Sequence, residues 1–274
     1  MMNIYFFKLA SLLYLLGSIA FLVYIVFLKK NLFKLAVAIV SIGFASHTLA
    51  LITRYAEAGY TPVTNLHESL SFFAWMIMGI LLMVDLKYNV KVLGAFLAPV
   101  ALILMLFALA LPKEILPLAP VLRSLWHPFH VIFAFLGNAI FALAFCSGVM
   151  YLIQENQLKS KKMGVITKRL PPLKVLDDLN YQSLKFGFPL LTLGIITGAV
   201  WANYAWGRYW DWDPKETWSL ITWLLYAALL HQRLTVGWRG RKAAIMAIVG
   251  FLAVLFTFLG VNLLLSGLHT YSNW

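Results

Sequence analysis

The chain has 274 residues, 62% of them hydrophobic and only 12% charged, with a formal net charge of +12. Soluble domains carry about a quarter of their residues as charges, so this composition excludes a water-soluble globular protein. The basic excess raises nucleic acid as a partner, but the placement of the charges along the chain argues against it.

A bilayer needs roughly 20 apolar residues of helix to cross it. Eight runs meet or approach that length, at about 5–28, 35–53, 67–86, 92–111, 130–154, 182–203, 217–231 and 243–266. No small-residue cleavage site follows the first run, so it reads as a retained span rather than a signal peptide. Eight crossings place both termini on one side. With "LKKNLFK" (28–34), "DLKYNVK" (85–91), the 155–181 segment, Lys185 and "QRLTVGWRGRK" (232–242) on the other, that side holds 16 of the 22 basic residues and 4 of the 10 acids. The positive-inside rule makes it cytoplasmic and the termini extracytoplasmic. The basic charge therefore reports topology, and no nucleic-acid partner is expected. The sequence predicts an all-α polytopic membrane protein of about eight transmembrane helices, a single integral membrane domain over 1–274. A cytoplasmic loop is expected at about 155–181 and an external loop at about 204–216.

Two span borders carry helix-start chemistry. "NLHE" offers Asn65 as N-cap with Glu68 three positions on, and "DPKE" offers Asp213 as N-cap, Pro214 at the first helical position and Glu216 to close a capping box. The lone cysteine, Cys146, falls inside the fifth span and reads as packing rather than redox chemistry.

The segment "WGRYWDWDPKETW" (206–218) stands apart, and six of the ten tryptophans fall between 201 and 223. An aromatic belt explains one or two tryptophans at each helix end and explains six in 23 residues poorly. Arg208, Asp211, Asp213, Lys215 and Glu216 would each cost about 2.5–3.5 kcal/mol at the bilayer centre, so this loop lies at or beyond the interface. Flat rings beside cations suit a large planar molecule with acidic groups. Heme fits, with Arg208 or Lys215 meeting the propionates; a quinone fits the rings but leaves the cations idle. Four aromatic contacts would supply about 2–6 kcal/mol, a millimolar-scale affinity, so heme would need axial ligands as well. Six histidines are available: His47, His67, His127, His130, His231 and His269. His127 and His130, three apart, share a helix face. Two external histidines from different helices above the tryptophan loop form a plausible bis-imidazole clamp. His231 lies at the cytoplasmic end of span seven, where it is a ligand contact or an interfacial residue. His47 lies inside span two.

"WGRYWDWDPKETWSLITWL" resembles the tryptophan-rich WWD signature of heme-handling membrane proteins. Its continuation, with "ITRYAEAGYTPVTNLHESLSFFAW" (52–75), "WHPFHV" (126–131), "LHQR" (230–233) and "GVNLLLSGLHTYSNW" at the end, is similar to the CcsA (ResC) family of System II cytochrome c biogenesis. The CcmC and CcmF proteins of System I share a WWD segment, but their flanking sequences and span numbers suit this chain less well. The resemblance implies heme (heme b) as both substrate and ligand. It implies His130 and His269 as axial ligands of the heme iron, and His231 as an inner or transmembrane heme contact. Trp206, Trp210, Trp212 and Asp213 would form the platform; Arg208 as a propionate partner is an inference from charge alone. His47, His67 and His127 match no family ligand, and His67 stands where relatives often carry tyrosine. A CcsB/ResB-type membrane partner and an apocytochrome c with a CXXCH motif are implied, in a cytoplasmic (inner) membrane or a plastid thylakoid membrane, with the tryptophan loop outside. The chain would move heme to the outer face and hold it for covalent attachment, as the heme-presenting subunit of a cytochrome c synthase. No acid–base catalyst is evident. The alternatives are a b-type heme or quinone electron-transfer subunit, and a scaffold with an ordinary aromatic belt.

Overall fold

The computed structural model describes residues 2–88, 90–161 and 169–269. The described residues form helices and turns with no strand, as lipid requires: a helix satisfies its backbone polar groups within itself. Eight long helices follow the eight apolar runs in order. Six are long and apolar enough to cross a membrane: α1 (Met2–Phe27), α2 (Lys30–Ala58), α3 (Leu66–Tyr88, through Asp85), α5 (Trp126–Lys159), α6 (Leu173–Trp206) and α8 (Arg241–Leu264). Between them, α4 (Gly94–Ala110) is apolar but only 17 residues long, and α7 (Pro214–His231) has 18 residues with Lys215, Glu216 and His231 near its ends. The chain is a polytopic helical membrane protein.

Helices α5 and α6 run further into the 155–181 segment than its polar composition indicates. Lys159 pairs with Glu155 one turn back at 2.8 Å, and Leu176 and Leu179 are buried, so each helix keeps a reason to continue past its apolar stretch. The external loop shortens likewise to 207–213, between the end of α6 and the start of α7.

The chain divides into two compact units, Met1–Pro117 with Ile153–Pro172, and Leu118–Leu152 with Leu173–Trp274. In the first, α1 and α2 form an antiparallel hairpin. Its register is marked by hydrogen bonds from Ser46 Oγ to the Phe6 carbonyl (3.0 Å) and from Asn3 Nδ2 to Glu57 (2.6 Å). Gly59, in the left-handed region at φ 76°, closes α2 by donating to the Tyr55 carbonyl. Asn65 caps α3 as expected, its Oδ1 accepting from the Glu68 N–H at 2.9 Å. Glu68 does more than the sequence indicates. One oxygen accepts from the Thr64 N–H and hydroxyl at 2.8 Å each, and the other accepts from Arg54 Nε at 2.7 Å. Arg54 also donates to the carbonyls of Lys113 (2.9 Å) and Glu114 (3.2 Å), pinning the connection after α4.

The histidines of this unit have hydrogen-bond partners. His47, fully buried, engages Tyr14 Oη at 3.2 Å and Ser71 Oγ at 2.9 Å, one through each ring nitrogen. His67 Nδ1 donates to the Ala108 carbonyl at 2.8 Å. His47 is a polar tie inside the helical bundle, and His67 ties α3 to the last turn of α4.

In the second unit, α5 and α6 pack antiparallel at backbone contact through small residues. A Cβ on Gly137 would stand 2.9 Å from the Leu191 nitrogen, and one on Gly194 would stand 2.9 Å from the Ala134 nitrogen. Phe141 stacks flat on Tyr226 of α7, centroids 3.5 Å apart, and Tyr226 fits against Gly250 of α8. Cys146 is free and buried, in keeping with its place inside an apolar span.

Candidate functional site

The site grows from the N-terminus of α7. Asp213 is a capping box in full: its side chain accepts from the Lys215 N–H at 3.0 Å, and Glu216 Oε2 returns to the Asp213 N–H at 3.3 Å. Glu216 also accepts the Asp211 N–H at 2.8 Å, so one side chain fixes both ends of the loop's last turn. The loop opens at Gly207 (φ 74°), whose N–H closes α6 on the Asn203 carbonyl. Trp212 sits at φ 57°, a left-handed conformation that costs an L-residue about 1–2 kcal/mol. Its indole is 68% exposed and meets Trp210 edge-to-face at 5.8 Å. The Trp210 indole nitrogen is buried and lacks a hydrogen-bond partner among the described residues.

Asp213 also holds the segment after α8. Its Oδ1 accepts the Leu268 N–H at 2.6 Å, and its Oδ2 pairs with His269 Nδ1 at 3.0 Å. Gly267 makes this approach possible, because a Cβ there would run into Asp213 Oδ1. Burial pushes the Asp213 carboxyl upward, but the hydrogen bond and charge of His269, with the two N–H donors, outweigh it and hold the group below its ordinary value. The carboxylate therefore fixes the Nδ1–H of His269 and leaves Nε2 facing away from the anchor. Such a carboxylate–imidazole pairing orients and strengthens a histidine as a metal ligand.

His130, on the second turn of α5, is anchored in the same way by a different group. Its Nδ1 lies 2.7 Å from the Gly194 carbonyl. A carbonyl only accepts, so Nδ1 carries the proton and Nε2 keeps its lone pair. The ring fits against α6 because residue 198 is glycine: a Cβ there would stand 2.6 Å from Nδ1.

Both imidazoles meet at Trp201. His130 stacks on it (centroids 5.9 Å, 17°), while His269 meets it edge-on at 5.5 Å and Trp206 edge-on at 4.8 Å. Trp201 and Trp206 are 5.0 Å apart, and His127 tilts against Trp201 at 5.0 Å. Trp201 is held by donating its indole N–H to the Val121 carbonyl at 3.0 Å. His127 and His130 do share a face, as their spacing predicts.

The structure thus brings together His130, His269, Trp206 and Asp213 of the sequence-predicted residues. Trp210 and Trp212 form a pair of their own in the loop. Arg208 is exposed and salt-bridged to Asp211. His231 is exposed at the far end of α7, about 25 Å along the helix from Pro214, where its carbonyl accepts from Thr235. Sequence reasoning left Trp201 out of the platform, because a tryptophan on the last turns of an apolar helix looks like an interface belt. The available signal was the pair of same-face histidines that needed a common neighbour.

Among the described residues no three His, Cys, Asp or Glu side chains converge as a bare-metal site. Two imidazoles anchored through Nδ1 and packed beside indoles suit instead a metal that brings an equatorial ligand set of its own.

The family model described as cytochrome C assembly protein matches residues 63–269, from the start of α3 to the candidate histidine at 269. A cytochrome c biogenesis protein CcsA of Guillardia theta is 38% identical, covering 94% of this chain and 92% of its own. CcsA of Synechocystis sp. is 37% identical over 96% and 95%, and CcsA of Chlamydomonas reinhardtii 42% identical over 89% and 70%. Among solved structures, the cytochrome c heme lyase CcmF shares the fold, with a TM-score of 0.69 at 19% identity over 94% of this chain; the chain spans 46% of that protein's length. The matched model spans the tryptophan loop and both anchored histidines, and with the close relatives over nearly the whole length it establishes that the chain belongs to the cytochrome c assembly protein family, in its CcsA branch, and acts in cytochrome c biogenesis.

Proposed function

We propose that this chain holds heme at the outer membrane face, with His130 and His269 as axial ligands, and presents it for covalent attachment to a CXXCH apocytochrome c. The observation that carries this reading is the matched anchoring of the two imidazoles: each is fixed through Nδ1, by Gly194 or Asp213, and each packs against Trp201. The residues present fit heme. Two imidazoles, each anchored through Nδ1, would satisfy the two axial positions of a porphyrin iron, and the indoles of Trp201 and Trp206 supply apolar faces. Trp210, Trp212 and Asp213 complete the platform, Asp213 by holding His269 rather than by contact.

Heme supplies the reactive centre, its vinyl groups being the sites where the two client thiols add. The protein's residues bind, orient and exclude water. Occupying both axial positions keeps oxygen from the iron until handover. On this reading the tryptophan loop and both termini are extracytoplasmic, His231 is the inner contact on the heme route, and a CcsB-type protein is the membrane partner. The membrane is the cytoplasmic one in a bacterium or the thylakoid in a plastid.

The test is holocytochrome yield. With a CcsB-type partner and a CXXCH client co-expressed, His130→Ala and His269→Ala should each lower the yield by tenfold or more, at unchanged levels of the membrane protein. Full yield from both would remove the ligand assignment.

A further inference from the structure

We propose that a polar cavity in the first unit is a binding site for a single water molecule, which joins His67 to the buried chain Tyr14–His47–Ser71. The cavity lies where α1 and α3 begin and α2 ends. Its wall includes Asn3 and Phe7 of α1, Arg54 of α2, His67 and Ser71 of α3, and Lys113 after α4. Apolar cavities stay dry, whereas a buried water needs about two to four polar partners. The free space admits about one water-sized molecule and excludes an organic ligand.

The observation that selects water is one unmet acceptor. His67 is only 5% exposed. Its Nδ1 lies 2.8 Å from the Ala108 carbonyl; a carbonyl only accepts, so Nδ1 carries the proton and Nε2 keeps a lone pair. Among the described residues nothing donates to that nitrogen. The cations in the wall are directed elsewhere, Arg54 to Glu68 and the carbonyls of Lys113 and Glu114, and Lys113 Nζ to the carbonyls of Leu109 (2.6 Å) and Leu111 (3.0 Å). Ser71 stands four residues after His67 on the same face of α3 and borders the same cavity. Its Oγ is 2.9 Å from His47 Nε2, and His47 Nδ1 is 3.2 Å from Tyr14 Oη. In either tautomer of His47, Ser71 keeps a place for water: a lone pair when its O–H serves His47, or the O–H when it accepts from His47. A water that donates to His67 Nε2 and bonds Ser71 relieves the cost of a buried acceptor left unmet. The chain then runs from Tyr14 of α1 through His47 of α2 and Ser71 and His67 of α3 to the carbonyl of Ala108 on α4, tying four helices through polar groups inside an apolar bundle.

The test uses the purified full-length chain with isotope-labelled histidine, reconstituted in bilayers. Solid-state NMR follows magnetisation transfer from water to each ring nitrogen, with His67 assigned by the signal lost in His67→Gln. In the parent, His67 Nε2 should resonate as an unprotonated nitrogen and receive transfer from water. Ser71→Val, whose methyl groups fill the cavity, should slow that transfer severalfold. His231, which is exposed, supplies the reference for bulk water. A protonated Nε2, or no transfer to His67 in the parent, overturns the proposal. Transfer undiminished in Ser71→Val overturns it too, because the water would then reach His67 from bulk solvent and not from the cavity. Where Ser71→Val does not fold, the parent measurement decides alone.

Discussion

Replacing Gly198 by alanine tests the site without touching a ligand. The new Cβ would stand 2.6 Å from His130 Nδ1 and 2.7 Å from Cε1, where ordinary contact begins at 3.4 Å. The ring must retreat by about 0.8 Å, or α5 and α6 must part by as much. Parting is costly, because Gly137 and Gly194 already hold the two backbones at contact. Retreat stretches the 2.7 Å bond from Nδ1 to the Gly194 carbonyl past its useful range, a loss of about 0.5–1.5 kcal/mol. Overpacking adds about 1–3 kcal/mol, and the better helix propensity of alanine returns about 0.8–1 kcal/mol. Net destabilisation is therefore about 0.5–4 kcal/mol. The effect on the site is larger, since metal–ligand distances tolerate only about 0.2 Å. The assay is heme retained per protein after purification, with the low-spin fraction of its spectrum. Gly187→Ala is the control: its Cβ would meet the Phe141 ring at 2.7 Å on the same helix pair, away from His130. Gly198→Ala should lose most low-spin heme and Gly187→Ala should not, at similar melting temperatures. A wild-type spectrum in Gly198→Ala would refute the anchoring of His130 by α6.

The other predictions separate site from scaffold. Asp213→Asn keeps an N-cap but weakens the tie to His269, so it should lose low-spin heme with little change in melting temperature; Asp213→Ala should also lose about 0.5–2 kcal/mol of stability from the missing cap, read by thermal melting. Trp201→Leu should reduce heme retention more than Trp212→Leu, because Trp201 touches both histidines while Trp212 is mostly exposed; equal losses would point to the loop as the main platform. Glu68→Ala strands the buried Arg54 guanidinium and should cost about 3–5 kcal/mol, lowering the melting temperature while leaving the spectrum of any folded protein low-spin. His231→Ala should lower holocytochrome yield without altering the spectrum of heme already at the outer site, and an unaffected yield would leave His231 as an interfacial residue.

Much of this was legible because it is local. "DPKE" specifies the cap of α7 through residues within one turn, and the structure returns both halves of the box. The three-residue spacing of His127 and His130 fixes a shared face, and both rings meet Trp201. Contacts between distant segments were not legible. Nothing in "TLGIITGAV" states that Gly194 offers a carbonyl, or that Gly198 clears space, for a histidine more than sixty residues earlier. The bond from Asp213 to His269 joins a helix start to the far end of the chain, so the residues themselves show the aspartate only as a cap, and its place in the platform rests on the family resemblance. The pairing of Arg54 with Glu68 likewise depends on how α2 meets α3. Charge alone offered Arg208 or Lys215 to the propionates, and the exposure of Arg208 and its link to Asp211 emerge only from coordinates.

The most direct test is the reduced absorption spectrum of the purified chain, co-expressed with a CcsB-type partner in heme-replete cells, compared with His130→Ala and His269→Ala. A clamp formed by His130 and His269 gives a low-spin bis-histidine spectrum in the parent that becomes high-spin or disappears in each variant. A low-spin spectrum unchanged in both would place the heme elsewhere in the molecule and contradict the external clamp.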